Sequence, residues 1–425
     1  MKHSRKHNDF KWAISLDRFM LRVVGLWPPD NYDTREAVKS KIRLLYNIIT
    51  MLFVLIIPTL ISLIRVWGDM ILMIENMQYS LPFMSTIFKI SIIWYKQADL
   101  LPLINMMERD WMKPKTKEER DVMLNRARII RVIAICGISW ALCGITITFS
   151  FPYFGLRLRQ VTNLTDFGKP LPIPSYYLHN VSKSPQYELT LLMQSITATA
   201  CGCSYTTIDH FLGLLVLHIC GQLENLHLRL SRMEKYSNFN AALEYNVQDH
   251  IRIIRSVDII DHTFNSMLLV LVLYFGVLFC FQAFLIVEVV NRKGQLSLTQ
   301  MIWFVAAIIY ILMHMCLYCI VGEILVMQSE KIHQATYKYP WYNKDPKVAK
   351  SLMLIMLRAS KPLYITAGKT FPMTMATFCN VSYLPYKKRV IMIFSLAFHC
   401  ALSTNSKTRS INALVCFSSY LKLYS

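Results

Sequence analysis

An all-α, polytopic membrane protein is the fold class that these 425 residues predict, and three observations predict it. Hydrophobic residues make up 54% of the chain and charged ones only 17%, too apolar a mixture for a water-soluble protein of this length. The apolar residues gather into runs of about 20, the number a helix needs to cross roughly 30 Å of hydrocarbon. Basic residues collect between the runs, and in a membrane chain their placement records topology. The net charge of +20 is therefore read as loop placement and not as a nucleic-acid surface.

Residues 1–41 form a basic N-terminal segment. Within it, residues 10–24 are amphipathic at helical spacing, with Trp12, Leu16, Phe19 and Val23 on one side. Gly25-Leu26-Trp27-Pro28-Pro29 stops that helix, which is expected to lie at the membrane surface. No cleavable leader is read, because no apolar core precedes a small-residue cleavage site, so the first span is expected to act as the membrane signal.

Residues 42–64 make that first span, kinked at Pro58, and residues 71–94 the second, with Pro82 in its middle. Residues 95–128 read as a charged loop. The third span, 129–151, offers Gly137, Ser139, Ala141 and Gly144 for close helix contact. Five prolines make residues 152–187 an irregular loop. Residues 188–222 are too long for one span and pass through Asp209, His210 and His218, so their second half is expected to project beyond the lipid into water. A polar but helically patterned stretch, 223–262, leads to the fifth span, 264–290. The sixth, 299–327, overruns at its inner end. Glu75, Lys89, Glu288 and Glu323 fall near span ends, where long side chains reach outward to water.

Two signals set the orientation. With the N-terminus in the cytoplasm, the inner segments hold about 30 of the 46 Lys and Arg and the outer loops roughly 7. The glycosylation sequons at Asn163 and Asn180 both fall in the 152–187 loop, which that orientation puts outside. An inside N-terminus is the reverse of a G-protein-coupled receptor. The inner end of the third span reads Arg126-Ala127-Arg128, and no late span holds Asn-Pro-x-x-Tyr.

Enzyme chemistry finds no footing. Asp209-His210, Asp249-His250 and Asp261-His262 are adjacent pairs that cannot aim both side chains at one metal, and Asp258 with His262 shares a face but reads as a polar pair on a cytoplasmic helix. There is no P-loop, dinucleotide-binding glycine pattern or nucleophile elbow. No cofactor is implied. A transporter would need charges within its spans or matching interrupted halves, and no internal repeat is evident. Eleven cysteines do not make a disulfide framework, since eight of them, from Cys136 to Cys319, sit inside apolar runs.

The stretch from Gly322 to Phe378 organises the rest. It leaves the foot of the sixth span, crosses a basic segment, enters a helix over 348–357 with Leu352, Ile355 and Met356 on one face, breaks at Gly368 and turns apolar again at Phe371. Gly322-Glu323, Gln328-Ser329-Glu330, Ala335-x-Tyr337, Trp341-Tyr342, Arg358-Ala359-x-Lys361-Pro362 and Ile365-Thr366-Ala367-Gly368-Lys369 together resemble the C-terminal signature of the insect odorant receptors. Those are seven-span subunits of odorant-gated cation channels, and the resemblance covers roughly residues 21–378.

The resemblance implies a seven-span bundle with inverted topology, divided into a cytoplasmic segment 1–41, six spans with cytoplasmic extensions over 42–327, an anchor segment 328–369 and the start of a pore helix at 370–380. It implies a pocket for small volatile molecules in the outer halves of the spans, lined by Met77, Tyr79, Phe83, Thr146, Phe149, Met193, Ile196, Thr197, Trp303 and Phe304. Gln222, Leu226, Gln328, Tyr337, Trp341, Leu352 and Ile355 would hold subunits together below the membrane, and Phe371, Thr374 and Phe378 would begin the pore. The implied partners are the shared odorant receptor co-receptor, in a hetero-tetramer, and membrane lipid. The implied place is the plasma membrane of a sensory neuron.

The end of the chain departs from this pattern. Val381-Ser382-Tyr383-Leu384-Pro385-Tyr386-Lys387-Lys388-Arg389 interrupts the last span, and the next apolar run, 390–402, is too short to cross. Val-Ser is what a GTAAGT splice donor encodes when read through, so residues 381–425 are expected to be a retained intron, the last span incomplete and the isoform nonconducting.

Overall fold

The structure, a computed structural model, describes residues 2–28, 34–154, 169–291 and 298–383, and their side chains except at 2–5, 152, 153, 286–291, 298–301, 303 and 383. In chain order it runs α1 (Lys2–Val24), α2 (Thr34–Thr50), a π-helical segment (Met51–Ile56), α3 (Ile57–Arg65), α4 (Met70–Tyr95), α5 (Gln97–Met112), α6 (Lys117–Ser150), α7 (Gln186–Ser231), α8 (Phe239–Asn291), α9 (Leu298–Lys338), α10 (Pro346–Ala359), a hairpin of β1 (Thr366–Ala367) and β2 (Phe371–Pro372), and α11 (Met375–Tyr383).

Among the described residues five helical segments are long and apolar enough to cross a membrane: Thr34–Arg65, Lys117–Ser150, Gln186–Ser231, Phe239–Leu285 and Phe304–Lys338. The expected second span, α4, has the length at 26 residues, but Glu75, Asn76, Gln78 and Lys89 make it too polar to join them. Its start is set by Asp69, whose carboxylate accepts from the Ile71 and Leu72 amides.

The bundle is built around α7. Every residue from Ser204 to Leu223 is buried, because α6, α8, α9, α4 and α1 all pack against this helix. The inner half of α7, expected to project beyond the lipid, is sheathed by other helices all round. Close approach to α6 depends on small residues. A Cβ on Gly213 would stand 2.7 Å from Ile130 Cδ1, and one on Gly137 would stand 2.7 Å from His210 Nε2.

Three further expectations are corrected. Residues 95–128 are not a loop: α5 and the first turns of α6 occupy them. The start of α6 is fixed by a capping box, in which the Glu119 amide donates to Thr116 Oγ1 and the Thr116 amide to Glu119 Oε2. In α1 the stripe that packs inward is Phe10, Ala13, Ile14, Asp17, Leu21 and Val24, while Trp12, Phe19 and Val23 are exposed. A membrane protein can turn an apolar stripe outward, since lipid is as apolar as its core. Phe371 is not helical either. It lies in β2, and the last described helix begins at Met375.

Pro58, where a kink was expected, follows directly on the π-helical turn Met51–Ile56. Two carbonyls of this stretch meet the irregular loop. The Tyr176 amide donates to Pro58 O at 2.9 Å, and Tyr177 Oη donates to Val54 O at 2.6 Å. In hydrocarbon every such group needs a protein partner.

Candidate functional site

The expected pocket residues separate into two groups. Phe149 and Thr197 are buried, and Met77, Tyr79, Phe83 and Phe304 are half-buried. Met77, Tyr79 and Phe83 pack against the core. Thr146, Met193 and Ile196 are exposed, and Thr146 Oγ1 bonds back to Leu142 O. The Trp303 side chain and Asn163 lie outside the described residues. Two buried amides on the same helices went unnoticed in the sequence. Asn76 Nδ2 donates to Ser62 Oγ at 3.0 Å, and Gln194 Nε2 donates to Ser175 Oγ at 2.7 Å and Tyr177 Oη at 3.0 Å. The loop 169–185 is thereby drawn into the bundle, with Leu171, Ile173 and Ser175 buried.

Deeper along the same helices lies a charged cluster that overturns the reading of Lys89 as a snorkelling residue. Lys89 Nζ donates to Asp209 Oδ1 at 2.6 Å and to Tyr318 Oη at 3.3 Å, and stands 3.2 Å from the centroid of the Tyr205 ring. Asp209 Oδ2 meets His314 Nε2 at 2.7 Å. The His314 ring is boxed by Tyr205 at 5.2 Å, Tyr310 at 5.4 Å, Tyr318 at 5.7 Å and Phe275 at 6.2 Å between centroids. Four helices thus build it: α4 gives Lys89, α7 Tyr205 and Asp209, α8 Phe275, and α9 Tyr310, His314 and Tyr318. Opposite charges at 89 and 209 were visible in the sequence, but only the fold shows that they face each other.

Immediately inward is a cavity of about 30 Å³, room for one water, lined by Asp209, His210, Tyr318, Gly322 and Met373 among others. Neither ring nitrogen of His210 has a partner among the described residues. The cavity's far wall is the turn into α11. The Met373 carbonyl lies so close to α9 that a Cβ on Gly322 would be 1.9 Å from it. Glu323 Oε2 accepts from the Met375 amide at 3.2 Å, and Asp261 Oδ1 accepts from the Thr366 amide at 2.6 Å and Thr366 Oγ1 at 2.8 Å. Gly368, at φ +61°, supplies the left-handed turn of the hairpin, and its amide donates to Asn265 O. Of the expected pore residues, Phe371 is exposed on β2, Thr374 precedes α11 and Phe378 is half-buried within it.

Beyond the spans, α5, α6, α7 and α8 are stitched by a charge network. Asp110 meets His218 at 3.2 Å and also pairs with Arg252; Asp249 meets Arg229 at 2.6 Å, Arg252 at 2.9 Å and Lys113 at 3.0 Å; Arg229 reaches Glu119 at 3.0 Å. Burial alone would raise both Asp110 and Asp249. The His218 hydrogen bond with the Arg252 and Lys113 charges outweighs it at Asp110, and the Arg252, Lys113 and Arg229 contacts do so at Asp249, so both carboxyls sit below their ordinary value. His250 is pushed down to about 4, by burial first and the Arg358 charge second. Of the expected anchor residues, Gln222, Leu226, Gln328, Leu352 and Ile355 are buried here, Trp341 is half-buried and Tyr337 is exposed.

Among the described residues no group of three His, Cys, Asp or Glu could hold a metal, and the nine cysteines there are free. A helical bundle with five membrane-capable segments among the described residues, and long helices that run on into a charged cluster, is that of a multi-pass membrane protein. Residues 69–386 match the 7tm Odorant receptor family, and the chain belongs to it. The relatives it matches are odorant and olfactory receptors, not enzymes.

The chain is 31% identical over 212 residues to Odorant receptor 10 of Aedes albopictus, a match that takes in 47% of this chain and about half (54%) of that relative. It is 25% identical over 337 residues to Odorant receptor Or2 of Anopheles gambiae, covering 75% of this chain and 84% of that one. The odorant receptor coreceptor of Aedes aegypti is 24% identical over 141 residues, 33% of this chain and 28% of the coreceptor. The fold is that of the olfactory receptor OR5 of Machilis hrabei, solved in complex with eugenol, with a TM-score of 0.76 at 17% identity over 92% of this chain and 99% of that one.

Proposed function

We propose that this chain is the ligand-binding subunit of an odorant-gated cation channel in the plasma membrane of a sensory neuron. Its N-terminus is cytoplasmic, and it assembles with the odorant receptor co-receptor into a hetero-tetramer. The observation that carries the reading is that one helix, α9, bears both His314 of the buried cluster and Gly322 against the turn into α11. They are eight residues apart, about 12 Å along the helix. A ligand that binds differently to two arrangements of the outer bundle shifts α9 between them, and the Gly322–Met373 contact passes that shift to the start of the pore. Eugenol in the related solved structure supports a small aromatic or apolar ligand. The experiment is current recording from cells expressing this chain with the co-receptor across a panel of volatile molecules. Ligand-evoked cation current that the co-receptor alone does not give supports the reading, and a saturating uptake flux without current would favour a transporter.

A second reading has its own observation. The family match ends at residue 386, six residues past the expected boundary after Asn380, and Lys387-Lys388-Arg389 with the rest of 387–425 stands outside it. On this reading the chain is a nonconducting, intron-retaining isoform. An exon boundary after Asn380, with codons for an apolar span downstream, supports it, and one exon running through Ser425 rejects it. Replacing residues 381–425 with a continuous apolar span should then create current where the present chain gives none.

A further inference from the structure

We propose that the Lys89–Asp209–His314 cluster is the floor of the ligand pocket and selects ligands that carry a hydroxyl group, alcohols and phenols, over ethers of the same shape. The inference rests on the ligand-binding reading above and names the chemistry of that site. Charged side chains within spans are costly, so those present usually serve a purpose beyond packing. Here the ion pair leaves part of its hydrogen-bonding capacity unused. An ionised carboxylate only accepts, so Asp209 Oδ2 takes the proton of His314 Nε2, and in the neutral ring Nδ1 remains an acceptor. That nitrogen has no hydrogen-bond partner among the described residues, and neither do the hydroxyls of Tyr205 and Tyr310 whose rings flank it.

Location points the same way. Lys89 is six residues inward of Phe83 on α4, Tyr205 eight inward of Thr197 on α7, and Tyr310 six inward of Phe304 on α9, so the cluster lies about 9–12 Å below the expected pocket wall on three helices at once. An apolar body held by the wall would bring a polar head to this floor. A hydroxyl satisfies both sides of it, donating to Nδ1 and accepting from a tyrosine. An ether or ester can only accept, which leaves Nδ1 unpaired. A site built to pair with a hydroxyl discriminates strongly against analogues lacking it.

The test is direct binding to the purified full chain in detergent, read by ligand-induced thermal stabilisation, using matched pairs such as octanol with octyl methyl ether and ethylphenol with ethylanisole. The hydroxyl member of each binding pair is expected to bind at least about tenfold more tightly. Tyr310→Phe removes one oxygen without disturbing the ion pair, and His314→Phe removes the acceptor. Each should erase most of the preference by weakening the hydroxyl member alone, with Tyr310→Phe keeping the wild-type melting temperature. Equal binding within the pairs, a preference untouched by both substitutions, or failure of every alcohol and phenol of about six to twelve carbons overturns the proposal. Hydroxyl-selective binding without current alongside the co-receptor supports the floor and counts against the gating reading.

Discussion

Lys89 on α4 and Asp209 on α7 meet at 2.6 Å with each side chain only 1% exposed, and His314 closes the far side of the carboxylate. A buried pair like this adds little net stability, because desolvating both charges offsets most of their attraction. Leaving one of them alone is another matter.

Lys89→Met is therefore expected to cost about 3–5 kcal/mol by stranding Asp209, and Asp209→Leu a similar amount by stranding Lys89. The double variant should recover most of the loss. Thermal unfolding in detergent, read by loss of the monodisperse species, checks the cycle, and simple additivity of the two losses would show that the pair is not coupled.

Gly322→Ala should destabilise the start of α11 by about 1–3 kcal/mol, because the added methyl would overlap the Met373 carbonyl, which is backbone and cannot rotate aside. Gly144→Ala, with nothing within 4 Å of its added methyl, is the control and should be neutral or slightly stabilising. Hydrogen exchange at residues 365–378 should quicken in the first variant and stay unchanged in the second.

Between about pH 7 and 4 two buried groups pull in opposite directions: Asp17, raised to about 7 by burial, favours the fold as pH falls, and His250 disfavours it. His250 titrates near 4 when folded and near 6.5 when unfolded, so the unfolded chain binds the extra proton and its share of the stability falls as pH drops from 6.5 to about 4. The contribution is on the order of 3 kcal/mol. Below that window the depressed Asp110 and Asp249 act in the same direction, their stabilisation being lost as they protonate. His250→Gln should raise stability at pH 4 relative to pH 6.5, compared with the unsubstituted chain, and leave the lower limb in place.

Asn180 is exposed, and its Oδ1 accepts from the Ser182 amide at 2.9 Å in a surface turn. If the 152–187 loop is outside, the chain made in insect cells should shift down a gel on amidase deglycosylation, and Asn180→Gln with Asn163→Gln should abolish the shift. A chain never glycosylated at either site would weigh against the orientation drawn from basic residues.

The helices were legible where one physical signal dominated. Apolar length marked α6 to α9, and the spacing of Leu352, Ile355 and Met356 marked the buried face of α10. Errors came where the surroundings decide. In α1 the sequence shows two apolar stripes, and only packing against α5, α6 and α7 tells which one turns inward. Lys89 looked like a side chain reaching for water because its partner lies 120 residues away on another helix. Asn76 and Gln194 carried no periodic signal, and their burial depends on Ser62, Ser175 and Tyr177 arriving from elsewhere in the chain. The capping box at Thr116 and Glu119 was readable and would have turned the supposed charged loop into a helix start.

On α9 and α10, Tyr337, Leu354 and Leu357 are large apolar side chains left exposed on elements whose other faces pack inward, as an inter-subunit surface would be. In the proposed channel, helices running on past the bilayer fasten subunits to one another. Co-purification of the tagged full chain with the co-receptor, with subunits counted by mass, tests that most directly. A tetramer containing both chains, reduced to separate species by Leu354→Asp with Leu357→Asp, is the predicted result. A chain that elutes alone, or a tetramer indifferent to those substitutions, would contradict it.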